Sequence, residues 1–146
     1  MQLSTDPKYL ILDEPTANFD PDFKQDFLNV IMQFMESGKK SVIIASHILD
    51  ELDRIADYLI YLDKGELVYS GDIESFRDKY RIISGESYKV KLLKQEDIIH
   101  AEDRKYGTKA LVVNHGYSKY DGALTVTVPT LEEFMYHYSK RGESVI

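Results

Sequence analysis

The chain has 146 residues, carries 25 acidic against 18 basic side chains for a net charge of −7, and contains no cysteine. That balance argues against nucleic acid as a main partner, and the missing thiols exclude a disulfide framework or a thiolate metal site. A composition of 43% hydrophobic and 12% aromatic residues suits a packed core. No apolar run approaches the about 18 residues of a membrane span, so any membrane partner is expected to be a separate chain or to lie outside these residues.

In chain order, Tyr9-Leu10-Ile11-Leu12 is a continuous apolar run, the pattern of a parallel strand covered on both faces. It runs straight into Asp13-Glu14-Pro15, so the strand delivers two adjacent carboxylates to the edge of a sheet. In phosphoryl-transfer sites one such acid holds Mg²⁺ and the other orients or deprotonates water. A bare Asp-Glu pair equally describes an acidic turn, and by itself does not say which acid does what. Asp20 before Pro21 is a helix N-cap with proline at the first helical position. Phe23, Phe27, Val30, Ile31, Phe34 and Met35 then recur at helical spacing, and Gly38 ends the helix.

Residues 42–45 read as a second buried strand, and Ser46-His47 stand at the entrance of a helix expected over 48–55. Ligands bind at the carboxyl ends of parallel strands, where an imidazole can donate a hydrogen bond to a phosphate; an isolated helix-entry histidine would bond to backbone instead. Residues 58–62 and 66–69 form a hairpin through a three-residue turn, Asp63-Lys64-Gly65. Asp72 caps a short helix carrying Ile73, Phe76 and Tyr80.

Taken in order, Asp13-Glu14-Pro15-Thr16, Ala17-Asn18-Phe19-Asp20-Pro21 and Ser41-Val42-Ile43-Ile44-Ala45-Ser46-His47 resemble the Walker B motif, the D-loop and the switch histidine of an ATP-binding-cassette (ABC) ATPase, the nucleotide-binding subunit of ABC transporters. Asp50-Glu51, Ala56-Asp57, the stretch from Tyr58 through Leu67 and Ser70-Gly71 resemble the continuation of the same cassette, so the likeness covers residues 3–81. Phe19 stands where the family more often has leucine. The family's phosphate-cradling loop, of the form G-x-x-x-x-G-K-S/T, is not in this sequence: the one Gly-Lys pair, Gly38-Lys39, is followed by Lys40. Its signature motif is missing too, because Asp13 has only twelve residues before it, and Leu3-Ser4-Thr5-Asp6-Pro7 resembles the end of the helix that follows that signature. The chain therefore resembles the C-terminal part of an ABC ATPase subunit, with Met1 an artificial start.

The resemblance implies a partial P-loop NTPase parallel sheet with helices over 1–85. It implies that Asp13 binds Mg²⁺, Glu14 activates the attacking water, and His47 contacts the γ-phosphate of ATP. Asn18 and Asp20 would lie beside the nucleotide at the dimer interface, with Asp20 also capping its helix. A second ATPase subunit and a separate transmembrane permease are the implied partners, and the implied location is cytoplasmic, peripheral on the inner face of the membrane. The parent would hydrolyse ATP, while this chain alone would neither bind ATP tightly nor hydrolyse it.

Acidic and basic residues number 16 and 9 over 1–85 but 9 and 9 over 86–146, which marks a candidate boundary at Ile83-Ser84-Gly85-Glu86. The tail reads as a strand over 88–93, a helix over 95–106, strands over 110–114 and 123–128, and a helix over 131–139. That βαββα order suggests a small α+β, ferredoxin-like C-terminal domain. Leu124, Val126 and Val128 alternate with Thr125 and Thr127, and Thr130 with Glu133 forms a capping box. Thr130-Leu131-Glu132-Glu133-Phe134-Met135 resembles a helix near the C-termini of ABC exporters of drugs or peptides. His100, His115 and His137 fall in different elements without H-x-x-x-H spacing or cysteine company, which argues against a metal site. Two other readings stand beside the transporter: a non-transport ABC ATPase of translation-factor or DNA-repair type, and a non-catalytic dimerisation or regulatory module.

Overall fold

In the computed structural model, residues 6–36, 38–49, 52–117, 120–121 and 124–143 are described. The chain divides into two compact units, Met1–Ile55 and Ala56–Ile146. The charge shift at 85/86 does not coincide with that division.

In the first unit, β1 (Tyr9–Asp13) and β2 (Ser41–Ala45) pair parallel, from Tyr9 opposite Ser41 to Asp13 opposite Ala45. Between them runs α1 (Pro21–Met35), which starts where the sequence places it: Asp20 Oδ1 accepts from the Phe23 N–H at 2.9 Å, and Pro21 opens the helix. Gly38 takes a left-handed φ of 64° and its N–H returns to the Met35 carbonyl at 2.9 Å, the turn glycine makes after a helix. Leu28 and Ile31 of α1 are buried. The expectation of a strand covered on both faces is not met: Tyr9 and Ile11 alternate as exposed residues with half-buried Leu10 and Leu12. Two strands and one helix leave the second face uncovered. Of the expected helix over 48–55, the described residues contain a 3₁₀ turn, Leu52–Arg54; Asp50 and Glu51, like residues 3–5 of the family likeness, lie outside the described residues.

In the second unit, β3 (Tyr58–Asp63) and β4 (Glu66–Asp72) form the expected hairpin. Its loop is two residues rather than three, because Asp63 already pairs with Glu66. Lys64 and Gly65 both have positive φ, 51° and 82°, the tight-turn geometry that matches strand twist. Asp72 caps α2 (Ile73–Lys79) by accepting from the Ser75 N–H at 2.7 Å.

The tail is not βαββα. Tyr80, expected to extend α2, instead begins β5 (Tyr80–Gly85), the central strand of a five-stranded antiparallel sheet. Its partners are β6 (Ile98–Arg104), β7 (Gly107–Val113), β8 (Tyr120–Asp121) and β9 (Leu124–Thr127), in the order β6-β7-β5-β9-β8. The expected strand over 88–93 is the one-turn helix α3 (Ser87–Val90). Val90 and Leu93 turn inward while Leu92 is exposed, a helical rather than an alternating spacing. The expected helix over 95–106 is a 3₁₀ turn, Gln95–Asp97, followed by β6. A bulge between Ile98 and His100 disrupts the alternation by which β6 would be recognised, and pairing with β7 overrides the local helix preference.

The sheet buries both faces. Ile83, Val90, Ala101, Ala110, Val112, Leu124 and Val126 pack on one side. On the other, α4 (Leu131–Ser139) sets Phe134 against Tyr61, Phe76 and Tyr80, with ring centroids 4.7–5.6 Å apart. The capping box of α4 forms as expected, with Thr130 and Glu133 bonding each other's backbone N–H.

Candidate functional site

The in-register parallel pairing of β1 and β2 brings their carboxyl ends level, so the residues that follow each strand meet. Glu14 N–H donates to the Ala45 carbonyl at 2.8 Å, extending the ladder by one bond. At Glu14 the backbone enters the left-handed region, φ 44°, a conformation that costs a residue with a Cβ of order 1–3 kcal/mol. Three contacts hold the side chain it positions. The His47 ring Nδ1 lies 2.7 Å from Glu14 Oε1, and the His47 backbone N–H donates to the same oxygen at 3.2 Å. Ser46 Oγ makes a long 3.4 Å contact to Oε2 and accepts from the Ile48 N–H at 3.0 Å, which pins the loop.

Hydrogen bonding to His47 holds the Glu14 carboxyl below the usual carboxylate range; partial burial pushes the other way and is outweighed, with the ring's charge and Ser46 adding to the lowering. An ionised carboxylate only accepts, so the proton between them sits on His47 Nδ1 and Nε2 is the remaining ring nitrogen. Because His47 takes Oε1, Oε2 is the oxygen available to accept a proton from water.

Of the other sequence-predicted residues, Asp13 is exposed at the last position of β1, opposite Ala45. Asn18 is exposed in the turn that leads to α1. Asp20 caps α1, and Phe19 beside it stacks edge-on with Phe23 and Phe27 at 5.1 and 6.0 Å. Glu14 and His47 are thus brought into contact, whereas Asp20 is engaged by its own helix. Ser46 contacts the Glu14 carboxylate, and buried Thr16, whose carbonyl accepts from the Phe19 N–H at 3.1 Å, closes the turn that follows; neither was singled out as a site residue. Their signal was positional only, since each borders a motif residue. Among the described residues no group of three or more His, Asp or Glu side chains could cage a metal ion. Asp13 suits one carboxylate ligand of a hard cation whose other ligands come from phosphate and water.

No family model matches the chain. Over 69 residues, 47% of its length, the chain is 42% identical to a Mycoplasma pneumoniae protein described as an ABC transporter ATP-binding protein, of which the match covers 21%. Over 81 residues, 55% of its length, it is 41% identical to the energy-coupling factor transporter ATP-binding protein EcfA2 of Caldanaerobacter subterraneus subsp. tengcongensis, covering 28% of that protein. The EcfA2 of Streptococcus pyogenes serotype M5 is 35% identical over 69 residues, 47% of this chain and 24% of its own. Its relatives are ABC transporter ATP-binding proteins. The likeness is to part of such an ABC protein, for the chain spans about a quarter of the length of the curated relatives it matches. No helix among the described residues is long and apolar enough to cross a membrane.

Proposed function

We propose that the chain carries part of the nucleotide site of an ABC transporter's ATPase subunit, with Glu14 as the group that orients and deprotonates the attacking water. The observation that carries this reading is the 2.7 Å contact between Glu14 and His47, 33 residues apart and joined at the carboxyl end of a parallel strand pair. Relatives that are transporter ATP-binding proteins support it. In this reading Asp13 supplies a carboxylate to Mg²⁺, and the metal when bound offsets charge on the β- and γ-phosphates. Glu14 Oε2 takes the water proton while His47 fixes Oε1, and His47 Nε2 is the nitrogen that meets the γ-phosphate, donating to it when the ring holds both protons. Asn18 and Asp20, on the turn into α1, approach a second ATPase subunit.

The energetic output would drive a separate membrane subunit at the inner face of the cell membrane. Two relatives are named as energy-coupling factor transporter components, and that transport class fits the chain better than an exporter of drugs or peptides, for which only the α4 sequence speaks. Glu14→Gln, made in an ATPase that includes these residues together with a phosphate loop, tests the assignment. The amide keeps the shape and removes the base, so Mg-ATP should still bind while hydrolysis falls about 10²–10⁴-fold. Turnover at the unmodified rate would overturn it.

A further inference from the structure

His100 on β6 and His137 on α4 are 3% and 1% exposed. Their Nδ1 atoms lie 2.8 Å apart, with ring centroids separated by 5.1 Å. A hydrogen bond between two imidazole nitrogens needs one proton: one Nδ1–H donates, and the other Nδ1 accepts while its ring is protonated at Nε2. One extra proton can enter at the donor's Nε2 without breaking this bond. A second has only the accepting Nδ1 to bind, which would set two N–H groups and two cations against each other inside the unit.

The charged groups around the pair come from every packed element. From β6, Glu102 accepts from Tyr136 Oη at 2.8 Å and from Arg104 Nε at 2.7 Å. From β7, Lys109 pairs with Glu133 of α4 at 2.5 Å. Lys140 donates to Tyr136 Oη at 2.7 Å, and Glu143 lies near His100. Glu102 and Glu133 therefore already have cationic or hydroxyl partners.

We propose that the His100–His137 pair is an acid-sensitive latch that fastens α4 to the edge strand β6 while neutral and releases it when the rings charge. Burial, then the neighbouring His100, lowers His137 from its ordinary 6.5 to about 4, and burial lowers His100 as well. The opened state thus binds protons more readily than the closed one. Closure is at full strength above about pH 6.5 and weakens as pH falls from there toward about 4. Glu102 and Glu133 are held below their ordinary 4.5, and Asp97 below 3.8, so their losses begin at more acid pH than the latch.

The test is amide hydrogen exchange of α4 in the full 146-residue chain, as protection factors corrected for the intrinsic pH dependence of exchange. Between pH 7.5 and 5, protection of α4 should fall about 30-fold, the factor for one proton taken up on opening by a ring whose pKa is about 4 when closed and 6.5 when open. In the double variant His100→Leu with His137→Leu, that fall should vanish. Both partners become apolar together, which leaves no orphaned polar group. Should the double variant not fold, ¹⁵N spectra of the wild-type rings decide: they should show one shared Nδ1 proton and titration below 6.5 in step with α4 opening. Protection that stays constant over this range, a fall that persists in the double variant, or rings that titrate near 6.5 with α4 still protected would each overturn the latch.

Discussion

At Glu14 a single residue combines an unfavourable backbone conformation with a side chain held through one carboxylate oxygen. The left-handed φ of 44° is tolerated because the N–H still reaches the Ala45 carbonyl and the carboxylate collects the His47 ring and backbone N–H. Both side chains are well exposed, 39% for Glu14 and 72% for His47, so the pair stabilises the fold little; its consequence is for charge. His47→Ala removes the largest cause of the lowered Glu14 carboxyl, and its titration midpoint, followed by the side-chain ¹³C shift, should rise toward the ordinary 4.5. Because the folded value is the depressed one, the small stabilisation is present above 4.5 and lost as pH falls through the lowered value. An unchanged midpoint would mean that the contact does not persist in solution. Motif adjacency singled out Asp13, Glu14 and His47 in the sequence, and the strand register brings the last two into contact. The sequence could not show that Ser46 and the His47 N–H also grip the carboxylate, because that depends on the register of two strands. Nor could it show Asp97, 1% exposed and bonded by His115 Nδ1 at 2.7 Å and Tyr117 Oη at 2.8 Å, since only the tertiary fold assembles these three.

At the scale of elements, local chemistry was readable wherever a cap or tight turn fixed it. Asp20, Asp72 and Thr130 cap their helices as their residue types dictate, and β9 alternates from Leu124 to Thr127, although Val128, expected to continue the inward series, is exposed. Elements that depend on a partner were not readable. The stretch 95–106 is rich in helix-forming residues, yet its bulged edge strand forms by pairing with β7. Within β5, Tyr80 read as helix and Ile83-Ser84-Gly85 as part of a junction, because the strand's value lies in pairing with β7 and β9 at once. Gly107 shows how tight that packing is. Its φ is +134°, and a Cβ built there would stand 2.3 Å from the Gly85 carbonyl oxygen. Backbone on both sides cannot give way as a flexible side chain would. Gly107→Ala should therefore cost more than about 1 kcal/mol, read as a lower urea midpoint for unfolding of the second unit. A variant of unchanged midpoint would show that the β6–β7 turn relaxes freely.

At the scale of the whole chain, the two units differ in what they bury. Among the described residues, Leu28 and Ile31 are the only buried hydrophobic residues of the first unit, whereas the second contains the aromatic cluster around Phe134 and both faces of a five-stranded sheet. In the first unit Tyr9 and Ile11 are each 75% exposed and Ile43 62%. Two strands with one helix lie near the lower limit of independent stability. Hydrophobic burial is the dominant favourable term in folding, so the site-bearing unit should open far more often than the sheet-bearing one. Limited proteolysis of the 146-residue chain should cut first within 6–49 and leave a resistant product that begins near Ala56. The accumulation of that product, followed by mass spectrometry, measures the difference. Equal rates of cutting in both units would instead mean that they unfold as one cooperative body. The outcome bears on the site: a carboxylate and an imidazole can hold their 2.7 Å contact only for as long as β1 and β2 stay paired, so whatever stabilises that pair also stabilises the geometry on which the proposed chemistry rests.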